Sequence, residues 1–152
     1  MTTPVPPAAF LHLVVGYDGS PPASRALDAA VRLLRGRTGR IEIVYVAHLS
    51  SMVMLSADAI AEVEADFDQI EQELRAQAAE QLKGKAEAWV FHRRQGMIAE
   101  ELTAAATGIL EAHPGDVVVI VVGSSSHASH RVIGSVAVSL ARHCPVPVLI
   151  VP

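Results

Sequence analysis

The sequence predicts an α/β fold: a single-domain, open, five-stranded parallel sheet with helices on both faces. Three observations carry that expectation. β-type apolar runs alternate along the chain with segments whose apolar residues recur at helical spacing. The run "VVVIVV" (Val117–Val122) is apolar without alternation, as expected of a strand covered on both sides. The composition is 51% hydrophobic but only 4% aromatic, so the core has to be built from Ala, Val, Leu and Ile, and 152 residues are enough to bury one in a single domain.

Residues 1–9 carry three prolines and no basic or long apolar stretch, and are expected to form an irregular tail before a domain spanning 10–152. The first strand is "FLHLVVG" (Phe10–Gly16), ended by the turn signal "YDGSPP". Ser20 is placed to cap a helix with Pro21 at its first position, and Ala26, Leu27, Ala30, Val31 and Leu34 continue at helical spacing. In "RIEIVYVAH" the residues Ile41, Ile43 and Tyr45 alternate against Glu42 and Val44, which makes the second strand.

The longest helix is expected over Ala57–Lys83, with a stripe of Ile60, Val63, Phe67, Ile70, Leu74, Ala78 and Leu82. Half of the chain's 16 acidic residues lie in it, and the plain reading is a solvated face opposite the stripe. "AEAWVFHRR" is the third strand, with Trp89 and Phe91 toward one side. After the break at Gly96, Ile98, Leu102, Ala105, Ala106 and Ile109 mark the third helix. The fourth strand is followed by a Ser/His-rich loop, a short helix around Val136–Arg142, and a last strand, "PVPVLIVP". Right-handed crossovers turn this β-α-β-α-β-α-β-α-β order into a parallel sheet.

The bulk properties narrow the function. A net charge of −4 without a basic face argues against nucleic acid or an anionic membrane as partner. The single cysteine, Cys144, excludes an internal disulfide, makes a thiolate zinc site improbable, and reads as a packing residue. No apolar run approaches the roughly 20 residues of a membrane span. A cytoplasmic protein is expected.

In an open parallel sheet, ligands bind beyond the carboxyl ends of the strands, where the strand order reverses. Two such ends carry polar, Gly-containing turns: "GYDGS" after the first strand and "GSSSHASHRVIGS" after the fourth. A carboxylate at Asp18 suits a base amine or sugar hydroxyl, or else bonds its own turn. Gly and Ser before a helix can offer N–H and O–H groups to phosphate, and Arg131 could pair with it. His127 and His130, with His143 beyond, lack a carboxylate or thiolate cluster of metal-site spacing. Ser125 with His127 lacks a nucleophile elbow and an orienting acid, so no catalytic constellation is assigned.

From "LHLVVGYDGS" to "GSVAVSLARHCPVPVLIVP" the chain resembles a universal stress protein domain. The resemblance implies a doubly wound, Rossmann-like or flavodoxin-like sheet and a homodimer joined through the last strand. In one branch of that family it also implies ATP, or another adenine nucleotide, held with magnesium. In that branch Asp18 would lie against the adenine or ribose, and the Val46 backbone would contact the base. A Gly-x2-Gly-x9-Gly-Ser/Thr loop would hold the phosphates.

Gly134 and Ser135 match the closing Gly-Ser of that loop. From Gly123, with Ser124 next, the second glycine position falls on Ser126, and seven residues rather than nine precede Gly134. An ungapped register from Asp116 puts Val121 and Ser124 at the glycine positions instead. Either way backbone freedom near the phosphates is reduced. The expected function is weak or altered binding of an adenine nucleotide, with at most slow ATP hydrolysis. The alternative is a dimeric regulatory or interaction module of the same fold, without nucleotide, that uses its acidic helix or the connection Leu49–Leu55.

Overall fold

The computed structural model describes residues 9–48, 56–86, 88–124 and 134–152. Five strands, β1 (Leu11–Gly16), β2 (Gly39–Ala47), β3 (Trp89–Gln95), β4 (Val117–Gly123) and β5 (Val148–Val151), form one sheet in the order β3-β2-β1-β4-β5. All four pairings are parallel. The helices between them are α1 (Pro21–Leu34), α2 (Ala57–Leu82), α3 (Ile98–Ala112) and α4 (Ser135–His143). The chain winds outward from β1 to β3, then returns to β1's other side for β4, so the order reverses between β1 and β4.

Two cores follow from the pleat. Leu13, Val15, Ile41, Ile43, Tyr45, Phe91 and Val121 share one side with the buried faces of α1 and α2. Val14, Val44, Val118, Ile120 and Val122 share the other with Leu102 and Ala106 of α3 and Ala137 and Leu140 of α4. The alternation read in the second strand is therefore real: Ile41, Ile43 and Tyr45 lie on one side and Val44 on the other. Register sets these residues in rows, and Phe91, Ile43, Val15, Val121 and Leu149 are successive neighbours across all five strands.

Ser20 caps α1, its hydroxyl accepting from the Ala23 amide at 3.3 Å, with Pro21 opening the helix. Ser56 caps α2 in the same way. The α2 stripe, however, is buried only at Leu74, Ala78 and Leu82, while Ile60 and Ile70 are exposed. The reason is length. Twenty-six helical residues run about 39 Å, whereas the seven residues of β3 run about 23 Å. The amino half of α2 therefore extends past the surface it would cover, tied down by Arg93 of β3 to Glu64, Asp68 and Glu71.

Among the described residues, no helix is long and apolar enough to cross a membrane. Residues 1–8 of the expected tail and the connection Leu49–Leu55 lie outside the described residues.

Candidate functional site

The reversal between β1 and β4 leaves a crevice of about 220 Å3 at their carboxyl ends. Its walls come from four places: the β1 turn (Gly16, Tyr17, Asp18), the start of α1 (Ser20, Pro22), the sheet and α3 (Val44, Val46, Leu102, Val122), and the start of α4 (Gly134, Ser135, Val136). The interior is mostly apolar, with Val44, Val46, Leu102 and Val122 in its walls. The rim is polar.

Asp18 stands at that rim. Its Oδ1 accepts a hydrogen bond from the Ser20 amide at 3.0 Å, shaping the turn that leads into α1. Gly19, at φ +77, occupies a conformation that L-side chains rarely adopt, and a Cβ there would also come within 2.7 Å of Leu74. The turn and α2 are thus fitted to each other. Burial, reinforced by the charge of Asp18, raises the Tyr17 hydroxyl above the ordinary tyrosine range.

At the opposite wall Gly134 is the N-cap of α4 and brings no side chain to the first-turn N–H groups. Those groups of Ser135, Val136 and Ala137 have no partner within the helix itself, and all three residues line the crevice. The helix dipole adds partial positive charge at the same point, so this wall suits an anion.

The structure brings Asp18, Val46, Gly123, Gly134 and Ser135 to this one crevice. It does not bring Ser124. That residue's amide donates to the Val151 carbonyl at 2.7 Å and extends the β4–β5 ladder. Gly123 has a packing reason of its own: a Cβ there would lie 2.2 Å from the Pro22 carbonyl oxygen. Ser126 and Arg131, like Ser125, His127 and His130, lie outside the described residues. His143 ends α4, and the Cys144 amide closes that helix on the Leu140 carbonyl. Among the described residues no group of three or more His, Cys, Asp or Glu could hold a metal ion.

Sequence reasoning missed a second polar cluster, at the amino ends of the strands on the α3 side. His12 and Glu42 are 2% and 1% exposed. His12 Nδ1 is 3.2 Å from Glu42 Oε1 and its Nε2 is 3.0 Å from Asp116 Oδ2. His92 Nε2 lies 2.8 Å from Glu42 Oε2, and Arg40 pairs with the same carboxylate. Burial pushes the Glu42 carboxyl up, but hydrogen bonds from His92, Arg40 and His12 outweigh it and hold it below the ordinary glutamate range. The available signal was a histidine inside the apolar run "FLHLVVG" and a glutamate inside "RIEIVYV".

The comparisons agree with this architecture. The model of the universal stress protein family matches residues 9–152. Comparison with curated proteins finds no match. Among solved structures, the universal stress protein UspA from Lactobacillus plantarum is 19% identical with a TM-score of 0.73, over 95% of this chain and 99% of that one. A universal stress protein in complex with cAMP is 24% identical with a TM-score of 0.61, over 95% and 99%. A universal stress protein family protein from Arabidopsis thaliana with AMP bound is 12% identical with a TM-score of 0.61, over 93% and 90%. At these identities the likeness is one of fold.

Proposed function

The chain belongs to the universal stress protein family, and from that premise we propose that the β1/β4 crevice binds an adenine nucleotide, in weakened or altered fashion. One observation carries this reading: a largely apolar crevice lined by the Asp18 turn at one wall and by the start of α4 at another. The base would lie between Val46 and the β1 turn, with Asp18 accepting from its amine or from a ribose hydroxyl. The phosphate would meet the amides of Ser135 and Val136. Two solved relatives hold cAMP and AMP, which makes a nucleotide with one phosphate the first ligand to try.

Weakness follows from the loop. The Gly-x2-Gly spacing is lost, and the Ser124 amide is committed to Val151. Among the described residues Asp18 is the one carboxylate lining the crevice, so any magnesium would arrive on the phosphates of ATP rather than in a protein cage. No nucleophile, base and orienting group meet among the described lining residues, so binding rather than turnover is the proposed activity.

The second reading is a dimeric module without nucleotide. It draws on the sheet edge. Among the described residues β5 pairs on one side only, and Leu149 within it and Val117 on β4 are exposed apolar residues. An uncovered apolar edge favours pairing with a second copy, and a homodimer through β5 belongs to both readings.

Calorimetry with AMP, cAMP, ADP and Mg-ATP tests the choice. Saturable heat with any of them supports the first reading. No heat at millimolar ligand, with the dimer intact, leaves the second.

A further inference from the structure

The amino half of α2 carries an apolar face that the sheet leaves largely uncovered. Its residues Ile60, Val63, Phe67, Ile70 and Leu74 recur at spacings of three and four, the heptad repeat of a coiled-coil seam. Leu74 is buried in the core, whereas Ile60 is 51% and Ile70 38% exposed, with Val63 and Phe67 half-buried between them. The seam thus begins against the sheet and runs out past it. From Ile60 to Ile70 it is about 16 Å long. The rest of the fold already holds these turns as helix, so a partner does not have to nucleate them.

The charges beside the seam say what fits it. Between Ala57 and Leu74 there are seven acidic residues and no Lys, Arg or His. With Ile60, Phe67 and Leu74 at position a and Val63 and Ile70 at position d, the flanking e and g positions hold Glu64 and Glu71 on one side and Asp66 and Glu73 on the other. In coiled coils those flanks set partner choice. Arg93 of β3 answers the first flank, 3.6 Å from Glu64 and 3.5 Å from Glu71. On the second flank Asp66 and Glu73 have no cationic partner among the described residues. Asp58, Glu62 and Asp66 also stand four apart in one row, where their charges repel.

A second copy of the chain laid on this seam, in either direction, would set acid against acid across both flanks. Nucleic acid and anionic lipid are turned away by the same charge. A helix carrying Lys or Arg at its flanks relieves the repulsion while it covers Ile60 and Ile70. We propose that the overhanging half of α2 is a docking seam for a basic, heptad-patterned helix of another protein, with Leu, Ile or Val facing the seam and Lys or Arg beside Asp66 and Glu73. Apolar burial supplies the hold, and charge selects the partner. The seam is tied to β3, at the opposite edge of the sheet from β5, so it is separate from a dimer contact through β5.

The test uses two labelled synthetic peptides of three heptads with Leu at a and d, one with Lys and the other with Glu at every e and g position. Each is titrated with the full-length protein and followed by fluorescence anisotropy. The Lys peptide should bind saturably, and the Glu peptide at least about tenfold more weakly. Because a basic peptide adheres to many acidic surfaces, variants locate the contact. Ile60→Ser with Ile70→Ser keeps the charge and, at exposed positions, the fold; it should weaken the Lys peptide about tenfold or more. Asp66→Lys with Glu73→Lys should turn the preference toward the Glu peptide. Glu80→Gln with Glu111→Gln, exposed acids off the seam, should change binding less than about twofold. No saturable binding at submillimolar protein, equal binding of the two peptides, or full affinity in Ile60→Ser with Ile70→Ser overturns the proposal. A lower mass of that variant than of wild type by light scattering assigns the seam to a second copy and overturns it as well. None of these readouts involves nucleotide, so the seam and the proposed ligand fail separately.

Discussion

Replacing Gly123 by alanine adds one methyl group at the point where β4 meets the beginning of α1. That methyl carbon would stand 2.2 Å from the Pro22 carbonyl oxygen, 2.4 Å from its carbonyl carbon and 2.7 Å from its Cβ. The Gly123 φ lies outside the left-handed region, so the backbone accepts alanine and the cost is steric alone. The obstacle is backbone in the first turn of a capped helix, which cannot swing aside as a side chain would. Relieving it needs a shift of about 1 Å in β4 or α1, at the 1–3 kcal/mol typical of overpacking.

Gly108 is the matched control. It lies inside α3 with nothing within 4 Å of an added Cβ. Gly108→Ala is expected to stabilise by about 0.5–1 kcal/mol through helix propensity. Urea unfolding of both variants reads the difference, and for a chain of this size each 1 kcal/mol shifts Tm by about 2–4 °C. A Gly123→Ala protein as stable as wild type would show that the close approach of β4 to α1 is not what places a glycine there. The same shift should also disturb the crevice, since Pro22 and Gly123 both line it.

Four further outcomes follow from the same geometry. Leu74→Ala, at a position 6% exposed, should cost about 2–5 kcal/mol, whereas Ile60→Ala on the overhanging part of α2, 51% exposed, should stay within about 0.5 kcal/mol; equal costs by urea unfolding would contradict the half-covered helix. Glu42 is held below its ordinary value of 4.5, so its contribution to stability is full above that pH and fades as pH falls through the folded-state value. Glu42→Gln should therefore flatten the acid limb of the stability curve below about pH 4.5, and an unchanged limb would refute the assignment. Asp18→Ala should weaken AMP binding about tenfold or more by calorimetry, the loss of one charge-assisted hydrogen bond. Light scattering at micromolar protein should give a dimer, and a Leu149→Lys variant that remains fully dimeric would move the interface away from β5.

The order of elements along the chain and their parallel sheet were legible because each strand carries its own pattern and the connections are right-handed crossovers, whereas the neighbours of each strand were not. Ser20 as a cap and Pro21 as the first helical residue follow from short-range chemistry, whereas a crevice beside Asp18 depends on β1 and β4 being neighbours. The α2 stripe misled for a physical reason: periodicity records which face of a helix is apolar, not whether a strand is long enough to reach it. Gly123 could be weighed in the sequence only as a phosphate glycine, because its contact with Pro22 joins elements far apart along the chain. His12 and Glu42 were hidden in the same way. One lies in an apolar run and the other at a polar alternate position, and only the β1–β2 register puts them on one side of the sheet with Asp116 at the edge.

The most direct test of the central claim is a titration of isotope-labelled protein with AMP, followed residue by residue in amide NMR spectra. The account predicts saturable shifts at Gly16–Ser20 on one wall, at Val46 on the sheet and at Gly134–Ala137 on the other wall, absent when Asp18 is replaced by alanine. Shifts that fall elsewhere, or none at millimolar AMP, would contradict it.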